Sequence, residues 1–350
     1  MVTALRYAAS LPNGSDLTEL DQLKRRSFIT LLGGAAAEWP VAARAQQPTI
    51  PVVGVVGGGG GDISTRYVAA FRKGLNEIGI IEGQNATVEY HWLEGQYDRL
   101  PTLMSDLVGR HVAVIATPTS QPAALAAKAA TTTIPIVFAV GVDAVELGLV
   151  ASLSRPGGNA TGINFFAVDT TAKRLGLLHD LVPKAVRIAV LVNPANTSAA
   201  EAARRDVPEA AHALGLQIEF FNASTSREIE TAFATLTRDR ADALFVTPDS
   251  FLNSRRVQLA TFAARYAIPA TYNLRDVVEV GGLMSYGTDN ADAWRQVGLY
   301  TGQILKGAKP ADLPVVQSTK FEFVINLQTA RLLGIEVPNS IQLLADEVIE

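Results

Sequence analysis

The 350-residue chain contains no cysteine. Disulfide bonds, thiolate metal sites and cysteine nucleophiles are therefore excluded, and so is a lipid anchor on an N-terminal cysteine. The four histidines are scattered and form neither an H-E-x-x-H motif nor an i, i+4 pair. This spacing argues against a zinc site, and we predict a protein without metal or cofactor.

Strong net charge and long apolar runs are also missing. The formal net charge is −4, and residues after 46 contain no basic tract, so we do not expect nucleic acid as a partner. No apolar stretch after the N-terminal region approaches the roughly 20 residues that cross a bilayer. The mature chain is therefore predicted to be soluble.

The sequence lacks motifs for nucleotide binding and for serine hydrolysis. Five consecutive glycines, Gly57–Gly61, follow a predicted strand, but no register gives G-x-G-x-x-G. Neither a phosphate-binding loop nor a G-x-S-x-G elbow occurs. The glycine loop either allows a ligand close to the backbone or is simply flexible. Since no nucleophile or acid–base pair converges, we predict that the protein is not an enzyme.

The first 45 residues have the order of an export signal. Residues 24–26 are basic, residues 28–37 form a short apolar run, and Ala43 and Ala45 are small residues where a signal peptidase reads. We therefore predict that residues 1–45 are a leader and signal peptide, cleaved after Ala45. The expected destination is the periplasm.

Arg25 and Arg26 begin the sequence RRSFI, which resembles the twin-arginine export motif. Export by this route and by the general secretory route both remain open. The alternative, an amphipathic first helix of a cytosolic protein, is disfavoured because Gly33, Gly34 and Pro40 would interrupt it.

Short β-branched apolar runs alternate with alanine-rich helical segments, and the alternation occurs twice. The first series has strands at 50–56, 87–92, 113–116 and 134–140, and helices at 66–78, 100–109, 122–130 and 145–153. The second has strands at 187–192, 217–221, 243–246 and 269–272, and helices at 199–214, 227–238 and 253–266. A late strand at 282–286 and a long helix at 291–306 follow both series. Two such series predict an α/β protein with two doubly wound parallel-sheet lobes.

In open parallel sheets, ligands bind beyond the carboxyl ends of the strands. The loops at these ends are rich in Gly, Thr, Ser, Asn and Asp, and several open a helix. The same residue types are ordinary helix caps, which is the main alternative for each of them. The candidate ligand-binding residues are Gly58, Gly59, Thr117, Thr119, Ser120, Gly141, Asp143, Asn164, Asn193, Asp249 and Tyr272.

Three long segments, 69–101, 123–163 and 304–341, carry a resemblance to a known family. They begin AAFRKGLNEIGIIEGQN, AALAAKAATTTIPIVFA and ILKGAKPADLPVVQSTK, respectively. In order and spacing they resemble ABC-transporter substrate-binding proteins of the tryptophan/tyrosine type. Two departures from that family's pattern are the glycine-rich first loop and Ala144 after Asp143.

The resemblance implies a type I periplasmic-binding fold, in which two hinged lobes close around a ligand like a Venus flytrap. It implies a first lobe of residues 50–162 plus 286–312 and a second of 164–284 plus 316–350. Gly162, Gly287 and Pro314 are the predicted hinge residues.

The implied function is capture of an amino acid or related carboxylate by a monomer that delivers it to an ABC permease with a separate ATPase. We assign Thr117, Thr119, Ser120 and Gly141 to a ligand carboxylate and Asp249 to an ammonium group. Polar or stacking contacts are assigned to Asn164, Asn193 and Tyr272. The alternatives are a sensory module for a membrane receptor and, less favoured, an exported α/β enzyme.

Overall fold

Two β-sheets, mostly parallel, organise the chain. The computed structural model describes residues 50–60, 64–165 and 167–350. The predicted leader and signal peptide, including Arg25, Arg26, Ala43 and Ala45, lies outside these residues.

Four strands of the first series coincide closely with the predicted apolar runs, and a fifth, β5, was not predicted. They are β1 (Val52–Gly57), β2 (Thr87–Trp92), β3 (Val114–Thr117), β4 (Ile136–Val140) and β5 (Ala160–Asn164), with helices α1 (Ser64–Glu77), α2 (Leu100–Gly109) and α3 (Gln121–Ala130) between them.

The predicted helix at 145–153 is wrong, because this segment forms turns. Gly148 has a φ of +69°, which a right-handed helix does not use. In addition, the Asp143 carboxylate accepts hydrogen bonds from the N–H groups of Val145 and Glu146, at 2.7 and 3.4 Å. These bonds cap a single turn at residues 144–148, and Gly148 ends this turn before a longer helix forms.

The second series begins with a helix that the sequence analysis did not predict. The elements are α4 (Ala167–Leu181), β6 (Arg187–Val192), α5 (Thr197–Ala213), β7 (Gln217–Asn222), α6 (Ser226–Arg238), β8 (Ala243–Val246), α7 (Ser250–Ser254), α8 (Arg256–Arg265), β9 (Ala270–Tyr272), α9 (Arg275–Glu279) and β10 (Met284–Thr288).

The last part of the chain returns to both sheets. It comprises α10 (Asn290–Leu305), β11 (Val316–Gln317), β12 (Phe321–Asn326), α11 (Leu327–Leu332), α12 (Asn339–Leu344) and β13 (Glu347–Ile349). Among the helices of the described residues, none combines the length and the apolar character needed to cross a membrane.

Strand order places a topological switch point in each sheet. The first sheet runs β11-β5-β4-β3-β1-β2 and the second β13-β12-β10-β9-β8-β6-β7. All pairs are parallel except β10 with β12. The winding direction reverses beside β1 in one sheet and beside β6 in the other, and the crevice for a ligand is expected there. We call each sheet with its covering helices the first and the second lobe.

Strand pairing moves the predicted lobe boundaries by a few residues. β5 keeps Asn164 in the first sheet, and β11 keeps Val316 and Gln317 there. β10 keeps residues up to Thr288 in the second sheet, before α10 packs on the first.

The three predicted hinge residues lie close to these boundaries. A Cβ atom on Gly162 would lie 2.0 Å from the carbonyl oxygen of Phe138, and one on Gly287 would lie 2.2 Å from that of Asn273. Both positions therefore require glycine for close packing of adjacent strands. The Pro314 carbonyl accepts a hydrogen bond from the Tyr300 hydroxyl at 2.7 Å. Their function as hinges stays a prediction.

The core follows from residue alternation on buried strands. In β1, Val53 and Val55 pack under α1 and α10, whereas Val56 points to the opposite face, under α2 and α3. Because both faces are covered, the strand is a continuous apolar run. The carboxyl end of β1 is thereby held in a fixed position, on the side of the sheet where the strands end and the ligand-binding loops begin.

Helices α1 and α10 touch at the level of the backbone. A Cβ atom on Gly74 would lie 1.9 Å from the Arg295 carbonyl oxygen, and one on Gly298 would lie 2.2 Å from that of Phe71. The two glycines thus allow an approach that a larger residue would prevent. This contact fixes the helices that carry Tyr67 and Trp294.

We expect Gly74→Ala to lower the free energy of unfolding by about 1–3 kcal/mol, because the added methyl group overpacks this contact. Gly176→Ala in α4 is the control, since no atom lies within 4 Å of its added Cβ. That variant should be neutral or more stable by up to about 1 kcal/mol. Urea denaturation measures both, and equal stabilities would contradict the role of Gly74.

Candidate ligand-binding cleft

A cleft lies where the carboxyl ends of the two sheets face each other. The empty space of this cleft, including the part open to solvent, is about 1140 Å³. The loops after β1, β3 and β4 contribute Gly58–Gly60, Thr119 and Gly141 from the first lobe, and residues 247–250 and Asn273 belong to the second. The cleft therefore lies beyond the carboxyl ends of the strands, where ligands bind in open parallel sheets.

Three stacked aromatic rings form one side of this cleft. Tyr67 and Trp92 each lie 5.8 Å from Trp294, measured between ring centroids, with interplanar angles of 22° and 25°. All three side chains line the cleft, and we call them the aromatic wall. Tyr90 extends the stack behind Trp92 at 6.3 Å. Such a surface favours a planar apolar group.

The side of the cleft that faces the aromatic wall is apolar, and most of its side chains are small. Ala199, Ala202 and Ala203 lie on one face of α5, at i, i+3 and i+4, and they line the cleft together with Phe245. Because the alanine side chains end at Cβ, they leave space for the apolar part of a ligand. The cleft thus has flat aromatic rings on one side and, on the other, small side chains that leave space for a ligand.

Thr119 has a backbone conformation that is unusual for its residue type. Its φ is +55°, a value that a β-branched residue rarely adopts and that tends to occur at functional sites. Its hydroxyl oxygen accepts a hydrogen bond from Trp294 Nε1 at 3.2 Å, and its carbonyl accepts one from Ser250 Oγ at 3.2 Å. The loop after β3 is therefore fixed to the aromatic wall and to the second lobe.

Asp249 lines the cleft, but both oxygens of its carboxylate already accept two hydrogen bonds each. Oδ1 accepts hydrogen bonds from Asn193 Nδ2 and from the Leu252 N–H, and Oδ2 accepts from Asn196 Nδ2 and the Tyr97 hydroxyl, all at 3.0 Å. The bond to Leu252 makes it the N-cap of α7. The assignment of Asp249 to a ligand ammonium group is corrected accordingly, because no acceptor site is left for it.

The other predicted residues divide into two groups. Gly58, Gly59, Thr119 and Gly141 line the cleft. Thr117 and Ser120 do not line it, but are completely buried near it, and their hydroxyl oxygens have no hydrogen-bond partner. The structure thus brings the loops after β1, β3 and β4 together as expected.

Four predicted residues lie outside the lining and hold neighbouring structure. Asp143 stabilises the turn described above. Asn164 accepts from the Ala144 N–H at 2.9 Å and donates to the carbonyls of Val140 and Val142 at 3.2 and 3.1 Å, which fixes the loop that carries Gly141.

Asn193 and Tyr272 are likewise structural. Asn193 is buried and holds Asp249, and its own oxygen accepts from the Ala195 N–H at 3.0 Å. Tyr272 is buried in the core between β9 and the helices of the second lobe, and burial raises the pKa of its hydroxyl. Stacking of Tyr272 on a ligand is therefore corrected to core packing, since its ring does not reach the cleft.

The aromatic wall was missed in the sequence analysis. Tyr67, Trp92 and Trp294 lie far apart in sequence, and each occupies an apolar position of a helix or strand, which usually means core packing. One available signal was that Trp92 ends β2, at the ligand-binding edge. Only the packing of α1, α10 and β2 brings the three rings together in one stack.

Several hydrogen bonds and ion pairs cross directly between the lobes. The Tyr67 hydroxyl donates to the Asp276 carboxylate, which is buried in the second lobe. Arg66 pairs with Glu279 at 3.3 Å, and Gln121 donates to Ser198. A Cβ atom on Gly58 would lie 2.3 Å from Ser250 Oγ. The lobes are thus in a closed arrangement.

Two tyrosine hydroxyls join the lobes in their neutral form. Burial, together with the Asp276 carboxylate, raises the pKa of Tyr67 well above its usual value. Burial and Asp249 do the same for Tyr97. Both phenols therefore remain donors to the opposite carboxylate at any physiological pH. Within the described residues no cluster of three His, Asp or Glu side chains could hold a metal ion.

Two facing parallel sheets with a cleft between their carboxyl ends define a type I periplasmic-binding fold. The chain belongs to the ABC transporter substrate binding protein family, whose model matches residues 52–349. It is 28% identical over 267 residues to a tyrosine-binding protein of Clostridioides difficile, covering 76% of each chain. Members of the family are binding proteins, and we assign no bond chemistry to this chain.

Solved structures agree with this assignment. An ABC domain from Streptococcus pneumoniae in complex with L-Trp has a TM-score of 0.77 and 27% identity, covering 85% of this chain and 99% of that one. The ligand-free, open structure of a C. difficile substrate binding protein with adhesive properties has a TM-score of 0.60 and 25% identity, covering 86% and 99%.

We expect Tyr67→Phe to weaken ligand binding about tenfold, because it keeps the ring but removes the hydroxyl that joins the lobes when the cleft closes. Tyr90→Phe is the matched control, since its hydroxyl bonds Glu82 within the first lobe at 3.2 Å. Calorimetry gives the affinities, and small-angle X-ray scattering gives the closed fraction. Equal effects of the two variants would show that the contact with Asp276 does not contribute to closure.

Proposed function

We propose that the cleft binds an amino acid with an aromatic side chain. The observation that carries this proposal is the aromatic wall beside a set of polar strand-end loops. A planar ring would stack on the wall, while the α-carboxylate would bind the loops and the α-ammonium group a carboxylate of the cleft lining. The L-Trp bound to the S. pneumoniae domain and the name of the C. difficile relative support the same ligand class.

The carboxylate is assigned to Thr119 and to the loops that carry Gly58, Gly59 and Gly141. The Thr119 hydroxyl oxygen accepts from Trp294, so its own hydrogen remains able to donate to an anion. The carbonyls of Gly58 and Gly59 accept from Gly95 and Glu94 at 3.2 Å, which fixes the loop. Its N–H groups would supply the remaining donors.

The ammonium group is assigned to Asp206. The cleft lining of the described residues contains two carboxylates, Asp206 and Asp249. Asp249 has no free acceptor site, whereas Asp206 pairs with the exposed side chain of Arg205 at 2.9 Å. Only Arg205 of this pair is exposed, so its side chain would turn to solvent when a ligand ammonium group takes its place at Asp206.

We further propose a monomeric binding protein that delivers its ligand to a membrane permease with a separate ATPase. Ligand contacts on both lobes would favour the closed form, and the closed form would dock. Work at the permease requires the protein outside the cytoplasm, which agrees with the predicted export signal over residues 1–45.

The binding prediction uses the purified full-length chain, unfolded and refolded to remove carried-over ligand. L-Trp or L-Tyr should bind and raise the melting midpoint, because a ligand of the folded state alone stabilises it by mass action. Trp294→Leu should weaken binding at least about tenfold by removing the stacking surface. Tyr266→Leu, in the separate aromatic cluster with Phe233 and Phe262, is the control. Binding of sugars or purines in place of both amino acids would contradict the proposal.

The export prediction concerns the N-terminus. In a Gram-negative host, protein recovered from the periplasm should begin at Gln46 on N-terminal sequencing, and Ala43→Leu with Ala45→Leu should retain the signal segment. Arg25→Lys with Arg26→Lys should stop export if the twin-arginine route is used and leave it intact if the general route is used. Wild-type protein confined to the cytoplasm would contradict the proposed localisation.

A further inference from the structure

Arg174 is a buried cation beneath the cleft floor. Its side chain lies on α4 and the residue is 2% exposed. The guanidinium carbon lies 3.9 Å from the centroid of the Phe245 ring, Nη2 donates to the Val246 carbonyl at 3.0 Å, and Nε has no hydrogen-bond partner. The ion pairs of the described residues include none with this side chain.

A buried charge without a counter-charge is strongly unfavourable unless other groups compensate. One carbonyl and one aromatic face compensate the guanidinium in part. Burial lowers the pKa of Arg174 to about 9, so the side chain remains a cation at neutral pH. A positive charge is thus held in the second lobe with part of its donor capacity unused.

The position of this charge relates it to the ligand. Phe245, on which it stacks, lines the cleft, and so does Thr171, one helical turn before Arg174. Val246, whose carbonyl it holds, directly precedes the lining residues Thr247–Asp249. Among the described residues of the lining there are two carboxylates and no lysine, arginine or histidine. The cleft surface itself therefore offers no cation to an anionic ligand.

We propose that Arg174 supplies the counter-charge that makes the cleft select ligands with a carboxylate. It acts from beneath the floor as a positioning residue, through its field and through the strand end that it holds. Because Arg174 itself is buried, its field is screened less than that of a surface charge. This inference rests on the proposed function and adds a determinant of specificity to it.

A purely structural Arg174 would join α4 to β8 and nothing more. Its removal would then lower stability and weaken all ligands alike. Selection of a carboxylate has a different signature, because the loss depends on the charge of the ligand. Comparison of an acid with its amide separates these two roles.

The test uses the full-length chain and two probes, L-Trp and L-tryptophanamide, in calorimetric titrations at neutral pH. The wild type should bind the acid at least about tenfold more tightly than the amide, a ratio that corresponds to one charge–charge contact of moderate strength. Arg174→Met should reduce this ratio several-fold, to the part that Thr119 and the loop N–H groups supply, and Arg174→Lys, which keeps the charge, should retain most of it. Arg204→Met is the matched control, since Arg204 is an exposed arginine stacked on Phe220 in the same lobe, at 4.9 Å.

The possible outcomes are distinct. An unchanged ratio in Arg174→Met, or equal losses for acid and amide, would overturn the inference and leave the proposed function intact. A wild type that binds neither probe would overturn the proposed function, and the inference with it. If Arg174→Met does not fold, Arg174→Gln replaces it, because it keeps a donor for the Val246 carbonyl without the charge.

Discussion

The structure depends on the parallel winding of its two sheets. Parallel neighbours require crossover connections, so the strands of each sheet end at the same edge and their loops collect there. Glycine, threonine, asparagine and aspartate in those loops then face the opposite lobe. Because helices cover both faces of each sheet, the strand ends are held firmly. The loops that start from these ends are therefore held in place as well.

Asp249 joins the ligand-binding loops of the second lobe to one another. Its carboxylate fixes Asn193, Asn196 and the first turn of α7, so the loops after β6 and β8 cannot move independently. The Tyr97 hydroxyl of the first lobe reaches the same carboxylate. A buried carboxylate that accepts four hydrogen bonds specifies one arrangement of its partners. The ligand site is therefore built on a network that the ligand itself does not need to complete.

The aromatic wall has a similar dependence on distant packing. Tyr67 and Trp294 belong to helices that touch through Gly74 and Gly298, 224 positions apart in the chain. The wall is rigid because these backbones are in contact, and Thr119 is bound to it through the Trp294 indole. One member of the wall also joins the two lobes, because the Tyr67 hydroxyl donates a hydrogen bond to Asp276. Stacking of a ligand and closure of the cleft thus involve the same side chain.

Local sequence patterns predicted much of the fold. Strands such as β6 and β8 and the helix α2 coincide with the predicted residues, because continuous apolar runs and regular helical spacing are local properties. Short elements such as α9 and β11 were missed, since tertiary contacts stabilise them more than their own sequence does. The segment 145–153 was misread as a helix because the bond that fixes its start comes from Asn164, which β5 brings close to Ala144 from 20 residues away.

The sequence by itself determined the α/β class, the two winding series, the absence of cysteine chemistry and the edge at which the loops meet. All of these depend on composition and on periodicity over a few residues. The tertiary structure alone decided that Trp92 and Trp294 form one wall, that Asp249 is saturated, and that Arg174 is a buried cation beneath the floor. Each of these facts depends on distances between residues far apart in the chain, which packing fixes and local patterns do not encode.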